Sequence, residues 1–289
     1  MSDRLAEIEA RIVSVNQLSS VITAMRGIAA ARMSEAGKHL ESVRAYSATV
    51  GMAIGRALAM QPSDRRPDGR GRDTGYRHIV IVLCAEQGFA GSFSNRMLDR
   101  FEALRQNGPA PELMLVGDRG LLSAGERGLE PAWTAPMIAA TDQAAALANR
   151  VMNALYSRID GTADSGVAVC VTLLHAAPGA TAGPQMMEKR LVPFDFGRFP
   201  PAGSGEPPLL TLAPGELLAR LADEYIFAEL CEAVVLSFAA ENEARMRAMV
   251  AAQKNVSDTL DGLVASSRRQ RQEETTNEIV ELSASQAGQ

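Results

Sequence analysis

Proline is absent from both ends of the 289-residue chain: all 14 prolines lie between Pro62 and Pro214, so residues 1–61 and 215–289 contain none. Proline breaks helix interiors because it lacks an N–H and clashes with the preceding turn. Its confinement predicts two long helical arms around a proline-bearing middle. Aromatic residues make up only 4% of the chain although hydrophobic residues reach 46%, a balance that favours alanine-rich helices over a compact enzyme. Cysteine is scarce as well. Cys84, Cys170 and Cys231 are widely separated and odd in number, which excludes a zinc-ligand spacing and a disulfide framework and fits a reducing compartment. His39, His78 and His175 are scattered, so no metal site is expected. No run approaches 18 apolar residues, so no direct membrane insertion is expected. The first residues, Met1-Ser2-Asp3-Arg4-Leu5-Ala6-Glu7, lack a signal-peptide apolar segment. The net charge of −5 disfavours broad nucleic-acid binding.

The first arm carries apolar residues at Leu5, Ile8, Ile12, Val15, Leu18, Ile22, Met25, Ala29, Met33, Ala36, Leu40 and Val43. Steps of 3 and 4 approach the 3.5-residue repeat of a coiled-coil seam. A helix to residue 59 would be roughly 85 Å long. Gly27, Gly37, Gly51 and Gly55 weaken it but allow close approach of a partner. The second arm follows Pro214-Gly215, and Glu216 to Asp261 contains neither Gly nor Pro. Tyr225 to Phe238 is apolar nearly all round, which predicts burial on more than one side. Residues 1–61 carry 7 basic and 5 acidic side chains, and residues 215–289 carry 7 and 13. These opposite balances suit an antiparallel pair. A folded helical bundle is the competing reading, but neither arm has the turn signals that a bundle needs.

The middle reads as a linker over 61–76 and then as alternating strands and helices. His78-Ile79-Val80-Ile81-Val82-Leu83-Cys84 is a β-branched run typical of a strand buried on both faces. A helix over Phe93 to Gln106, a strand over Leu113 to Gly117, a helix over Thr141 to Ile159 and a strand over Val167 to Leu174 follow, implying βαβ units. The expected fold is therefore α/β: an antiparallel coiled coil of long N- and C-terminal helices plus a small α/β domain with a mainly parallel sheet. The expected divisions are 1–60, 61–76, 77–205 and 206–289. Gly88-x-x-Gly91 after the first strand is neither a dinucleotide fingerprint nor a P-loop. It reads as a tight turn without a cofactor. Ser92 and Ser94 have no His or acid suitably placed, so no catalytic residue is assigned.

Several segments together resemble the gamma subunit family of F-type ATP synthases, along essentially the whole chain. Ile22-Thr23-Ala24-Met25 is similar to the family's Ile-Thr-Lys-Ala-Met segment, and Gly88-Phe89-x-Gly91-x-x-x-Asn95 looks like its Gly-Leu-Cys-Gly turn. Glu206-Pro207, Tyr225-Ile226 and Ala240-Glu241-x-x-x-Arg245-Met246-x-Ala248-Met249 resemble the start and body of its second helix. Arg271-Gln272-x-x-x-Thr276-x-Glu278-Ile279 resembles its end. The chain departs from the family pattern in lacking lysine over Ser19 to Thr23 and in its acidic second arm.

The resemblance implies a rotor shaft without catalysis or cofactor, on the cytoplasmic face of the bacterial inner membrane. Its implied partners are a ring of three alpha and three beta subunits, the epsilon subunit and the membrane c-ring. It implies that Arg271, Gln272, Thr276 and Glu278 form a catch against a beta subunit. It further implies that Met25, Arg245 and Met246 make shaft contacts and that Glu206 meets the ring at the foot. The rivals are a nucleotide-binding α/β enzyme with helical oligomerisation arms and an unrelated coiled-coil scaffold.

Overall fold

The computed structural model describes residues 2–60, 76–106, 109–163, 167–179, 183–200 and 210–287. Helix α1 (Ser2–Ala59) and helix α5 (Pro214–Ala287) are each unbroken. Between them lie β1 (Tyr76–Leu83), α2 (Phe93–Gln106), β2 (Glu112–Val116), α3 (Asp118–Glu126), β3 (Trp133–Ala135), α4 (Ala144–Ala163), β4 (Ala168–Ala177) and β5 (Gln185–Val192). Of the expected linker, residues 61–75 lie outside the described residues, and Tyr76 opens β1 rather than closing the linker.

Packing divides the chain into residues 1–29 with 245–289, and residues 30–244. In the second of these, the inner halves of both long helices pack with the α/β elements. In the first unit the two helix segments run antiparallel. Ile22, Met249 and Val256 are buried, with Val15, Met25, Ala248 and Ala252 packed around them. One seam position differs from expectation: Leu18 is 50% exposed and Ser19 faces the partner helix instead. The reason is a polar layer. Gln253 donates from Nε2 to Ser19 Oγ at 2.9 Å, and its Oε1 accepts from Thr23 Oγ1 at 3.2 Å.

The second unit is built on a five-stranded sheet in the order β3-β2-β1-β4-β5. The first four strands are parallel and β5 is antiparallel to β4. Alternation along β1 sends Ile79, Ile81 and Leu83 to one face and Val80 and Val82 to the other. The first face is covered by α4 and by Ile226, Leu230, Val234 and Phe238 of α5. The second is covered by Phe93, Met97, Leu98 and Phe101 of α2 and by Ala124 of α3. Burial of Tyr225 to Phe238 on several sides is therefore sheet packing combined with helix pairing. Four aromatic residues cluster: Phe194, Phe196, Phe199 and Tyr225 pack where Val50, Ile54 and Leu58 of α1 meet Leu218 of α5.

Three elements go beyond the sequence reading. β5 is Gln-Met-Met-Glu-Lys-Arg-Leu-Val, half polar because it is an edge strand with one covered face. β3 is only three residues long. α3 contains Gly120 and Gly125, which argue against a helix locally, but Gly120 is required by packing: a Cβ there would stand 2.1 Å from Cys84 Cβ.

Candidate functional site

Two regions qualify as functional surface, one in each unit. In the helical unit, the implied catch residues lie on the last turns of α5. Arg271, Gln272, Thr276 and Glu278 are all exposed. Arg271 ion-pairs with Glu9 of α1 at 2.5 Å, and Thr276 Oγ1 donates to the Gln272 carbonyl at 2.8 Å. The neighbouring Arg268 and Arg269 also face outward, whereas Ser267 is buried. Met25 is half-buried in the helix-pair cluster, so packing takes part of its surface. Met246 is half-buried, and Arg245 is only 6% exposed, which turns that guanidinium inward. Glu206 lies outside the described residues.

The sequence reading missed a second apolar stripe in this unit. Leu18, Val21 and Ile28 on α1 are each about half exposed, as are Val250, Ile279, Val280 and Leu282 on α5. Leu18, Val21 and Ile28 recur at heptad spacing on a face distinct from the buried seam. Their spacing was visible in the sequence. What it lacked was the assignment of one stripe to the seam and the other to the outside.

In the α/β unit, β2 and β4 flank β1, so the chain diverges at the end of β1. Crevices of this kind are where open α/β sheets hold anionic ligands, on free backbone N–H groups. Here the chain supplies its own carboxylates. Glu241 of α5 accepts from the N–H groups of Glu86 and Gln87 at 3.2 and 3.4 Å. Glu86 Oε2 in turn accepts from the N–H groups of Asp118, at the start of α3, and Met137. Ser94 is buried, and its Oγ accepts from the Ala85 N–H at 3.2 Å. Burial pushes the Cys84 thiol up to about 12, so no thiolate nucleophile forms there. The turn glycines divide: Gly91 has φ 58, a left-handed conformation, whereas a Cβ on Gly88 would meet nothing within 4 Å. Phe89 has φ 63 and is 66% exposed, projecting an aromatic ring from the turn. The cavity beside this turn measures about 240 Å³ and is lined by Gln87, Phe89, Asn95 and Arg119.

A larger cavity of about 350 Å³ lies between β5 and the long helices. Its charges are matched within the chain: Arg44 pairs with Glu232 at 2.9 Å, and Lys189 and Arg198 share buried Glu229 at 2.9 and 2.8 Å. His175 lines it, and burial lowers its pKa below the ordinary 6.5. This arrangement holds an ion-pair network with its acids already neutralised.

The profile of the ATP synthase family matches residues 4–287. The chain is 28% identical to the ATP synthase gamma chain of Frankia casuarinae, over 98% of this chain and 96% of that one. It is 27% identical to the gamma chain of Moorella thermoacetica, over 97% of each. Among solved structures it is similar to a chain of the Euglena gracilis mitochondrial ATP synthase rotor, with a TM-score of 0.66 at 11% identity, covering 95% of this chain and 100% of that one. It is also similar to a chain of the Tetrahymena thermophila mitochondrial central stalk, with a TM-score of 0.55 at 17% identity, covering 80% and 99%.

Proposed function

Because the chain belongs to the ATP synthase family, we propose that it is the gamma subunit, the shaft of the rotary complex. It turns within a ring of three alpha and three beta subunits and couples ion flow through the membrane sector to ATP synthesis or hydrolysis. Its partners are those alpha and beta subunits, the epsilon subunit and the c-ring. It sits as a peripheral subunit on the cytoplasmic face of the bacterial inner membrane. The shaft performs no chemistry. It contacts the conformations of the beta subunits unequally, and only such differential contact shifts their equilibrium.

The observation that carries this reading is the outward apolar stripe of Leu18, Val21 and Ile28, on helices whose seam is already satisfied. A helix that only paired with its neighbour would place polar residues there. We assign the catch to Arg271, Gln272, Thr276 and Glu278, and shaft contacts to Met25, Met246 and Arg245. Of the last three, Arg245 acts from inside, by holding the helix. Glu206 is assigned to the foot. The nucleotide-binding enzyme is disfavoured because carboxylates of this chain already accept from the turn amides that would cradle a phosphate.

Co-expression with cognate alpha and beta subunits tests the assignment. The expected product is a complex with ATPase activity that contains this chain. Leu18→Glu with Val21→Glu should block assembly while the free chain keeps its helicity. A wild-type chain that never co-purifies with the ring overturns the reading.

A further inference from the structure

Helix α5 crosses the carboxyl ends of β1 and β4 with an unusual set of buried polar side chains. Ser237, Glu241 and Glu243 are 1%, 3% and 4% exposed. Each accepts a hydrogen bond from backbone at a strand end. Ser237 Oγ takes the Ala176 N–H at 3.0 Å, near the end of β4. Glu243 takes the Gly179 N–H at 2.9 Å, just past β4. Glu241 spreads its two oxygens over the successive N–H groups of Glu86 and Gln87, just past β1. The two loops that part at the crevice are thus each tied to the same helix by a carboxylate.

Burying a carboxylate costs far more than burying an apolar side chain, unless hydrogen bonds satisfy it. A helix that merely packed on the sheet would carry alanine or valine here, as α5 does over Ala233 to Val235. The charged pair is specific in a way that apolar packing is not. One residue of helical slip turns a side chain by about 100°, and both carboxylates would then lose their amides.

We propose that Glu241 is a built-in anion, standing where a phosphate would sit in a nucleotide-binding sheet, and that with Glu243 it keys α5 into the α/β domain at one rotational setting. Both are positioning residues. In the rotor, on the reading above, this key makes the domain turn with the shaft helix instead of slipping around it. The family resemblance marks Glu241 only as part of a motif; the contacts give it this task.

Two measurements on the full chain test the key. Glu241→Gln keeps the shape but weakens the anion, and Glu241→Ala opens the cradle. Amide exchange at residues 86 and 87 should quicken about ten-fold or more in both variants. In Glu241→Ala, added acetate should slow it again and raise the melting temperature relative to equal chloride, with no such gain in the wild type. Unchanged exchange at 86 and 87, or acetate acting equally on the wild type, overturns the proposal. Should Glu241→Ala not fold, the Gln variant and Glu243→Gln, read at residue 179, decide it by the same exchange criterion.

In the assembled complex, Glu241→Gln should lower ion pumping per ATP hydrolysed while hydrolysis persists. Pumping and hydrolysis falling in strict proportion would reduce Glu241 to a fold-stabilising residue. Failure of the wild-type chain to assemble would refute the rotor reading, and the exchange measurement would still decide whether Glu241 is the anion.

Discussion

Glycine acts in opposite senses at different positions of this chain. Gly117 has φ 107, and a Cβ there would stand 2.6 and 2.7 Å from the carbonyl oxygens of Cys84 and Ala85. Gly117→Ala therefore combines backbone strain with a clash against main chain. It should cost about 3 kcal/mol in urea unfolding. Gly27 and Gly37 lie in mid-helix with nothing within 4 Å of an added Cβ. Alanine at either should add about 0.5–1 kcal/mol to the free chain; loss of stability at Gly27 would mean that its helix face is already occupied. Titration gives a second residue-scale prediction. Burial holds His175 below its ordinary 6.5, and burial together with Arg190 does the same to His78. A lowered folded pKa means that stability present above pH 6.5 is lost as the pH falls, because the unfolded imidazoles take up protons first. At the other end, burial and the hydrogen bond to Glu224 push Tyr46 up to about 12. Burial and Asp223 raise Tyr156 in the same sense. Their contribution is complete below pH 10 and is lost as the pH rises through the folded values. Unfolding midpoints should thus fall on both sides of a neutral plateau. His175→Gln should flatten the acid limb and Tyr156→Phe the alkaline one; limbs indifferent to both would contradict the assignment.

At the scale of the element, the paired helices trade stability for register. The layer formed by Ser19, Thr23 and Gln253 interrupts an apolar seam between Val15 and Ile22. Polar residues in a seam pair favourably in one register only, at some cost in stability. The Ser19 carbonyl of its own helix lies 3.0 Å from Thr23 Oγ1 and competes for its single hydroxyl proton, so Thr23 keeps an acceptor if Gln253 is removed. Gln253→Leu should therefore raise the stability of the free chain by about 1 kcal/mol. It should also broaden the distances between spin labels placed across the pair. A less stable variant with sharp distances would show that the layer is stabilising and not a register device.

At the scale of the whole molecule, the proposed catch would have to release one partner to take another. Arg271 and Glu9 form an exposed pair, 65% and 46% accessible at the side chain. Such pairs contribute about 0–1 kcal/mol, so on the proposed function Arg271 would leave Glu9 for a beta-subunit carboxylate at little cost. A charge-assisted bond at the new site is worth about 1.5–3 kcal/mol. Arg271→Ala with Gln272→Ala should then lower ATPase turnover of the assembled complex about ten-fold, with the free chain's helicity unchanged. Wild-type turnover from a fully assembled double variant would sink the catch. Helicity lost in the free chain would return Arg271 to holding Glu9.

The exclusion of proline from residues 1–61 and 215–289, with the 3-4 spacing of apolar residues, determined both long helices, since these are local rules of backbone and periodicity. The β-branched run at His78 to Cys84 likewise determined the central strand. Tertiary structure decided what local patterns leave degenerate. Leu18 and Ser19 both satisfy a 3-4 step, and only the position of Gln253 on the facing helix puts the serine inside. The half-polar segment of β5 becomes a strand because β4 offers it an edge, and α3 tolerates Gly120 because Cys84 fills the space a side chain would need. The amide of Glu86, just before the Gly88 turn, is taken by Glu241, 155 residues away along the chain. That bond brings together a loop amide and a helix carboxylate, and neither residue's neighbours in sequence carry any sign of the other.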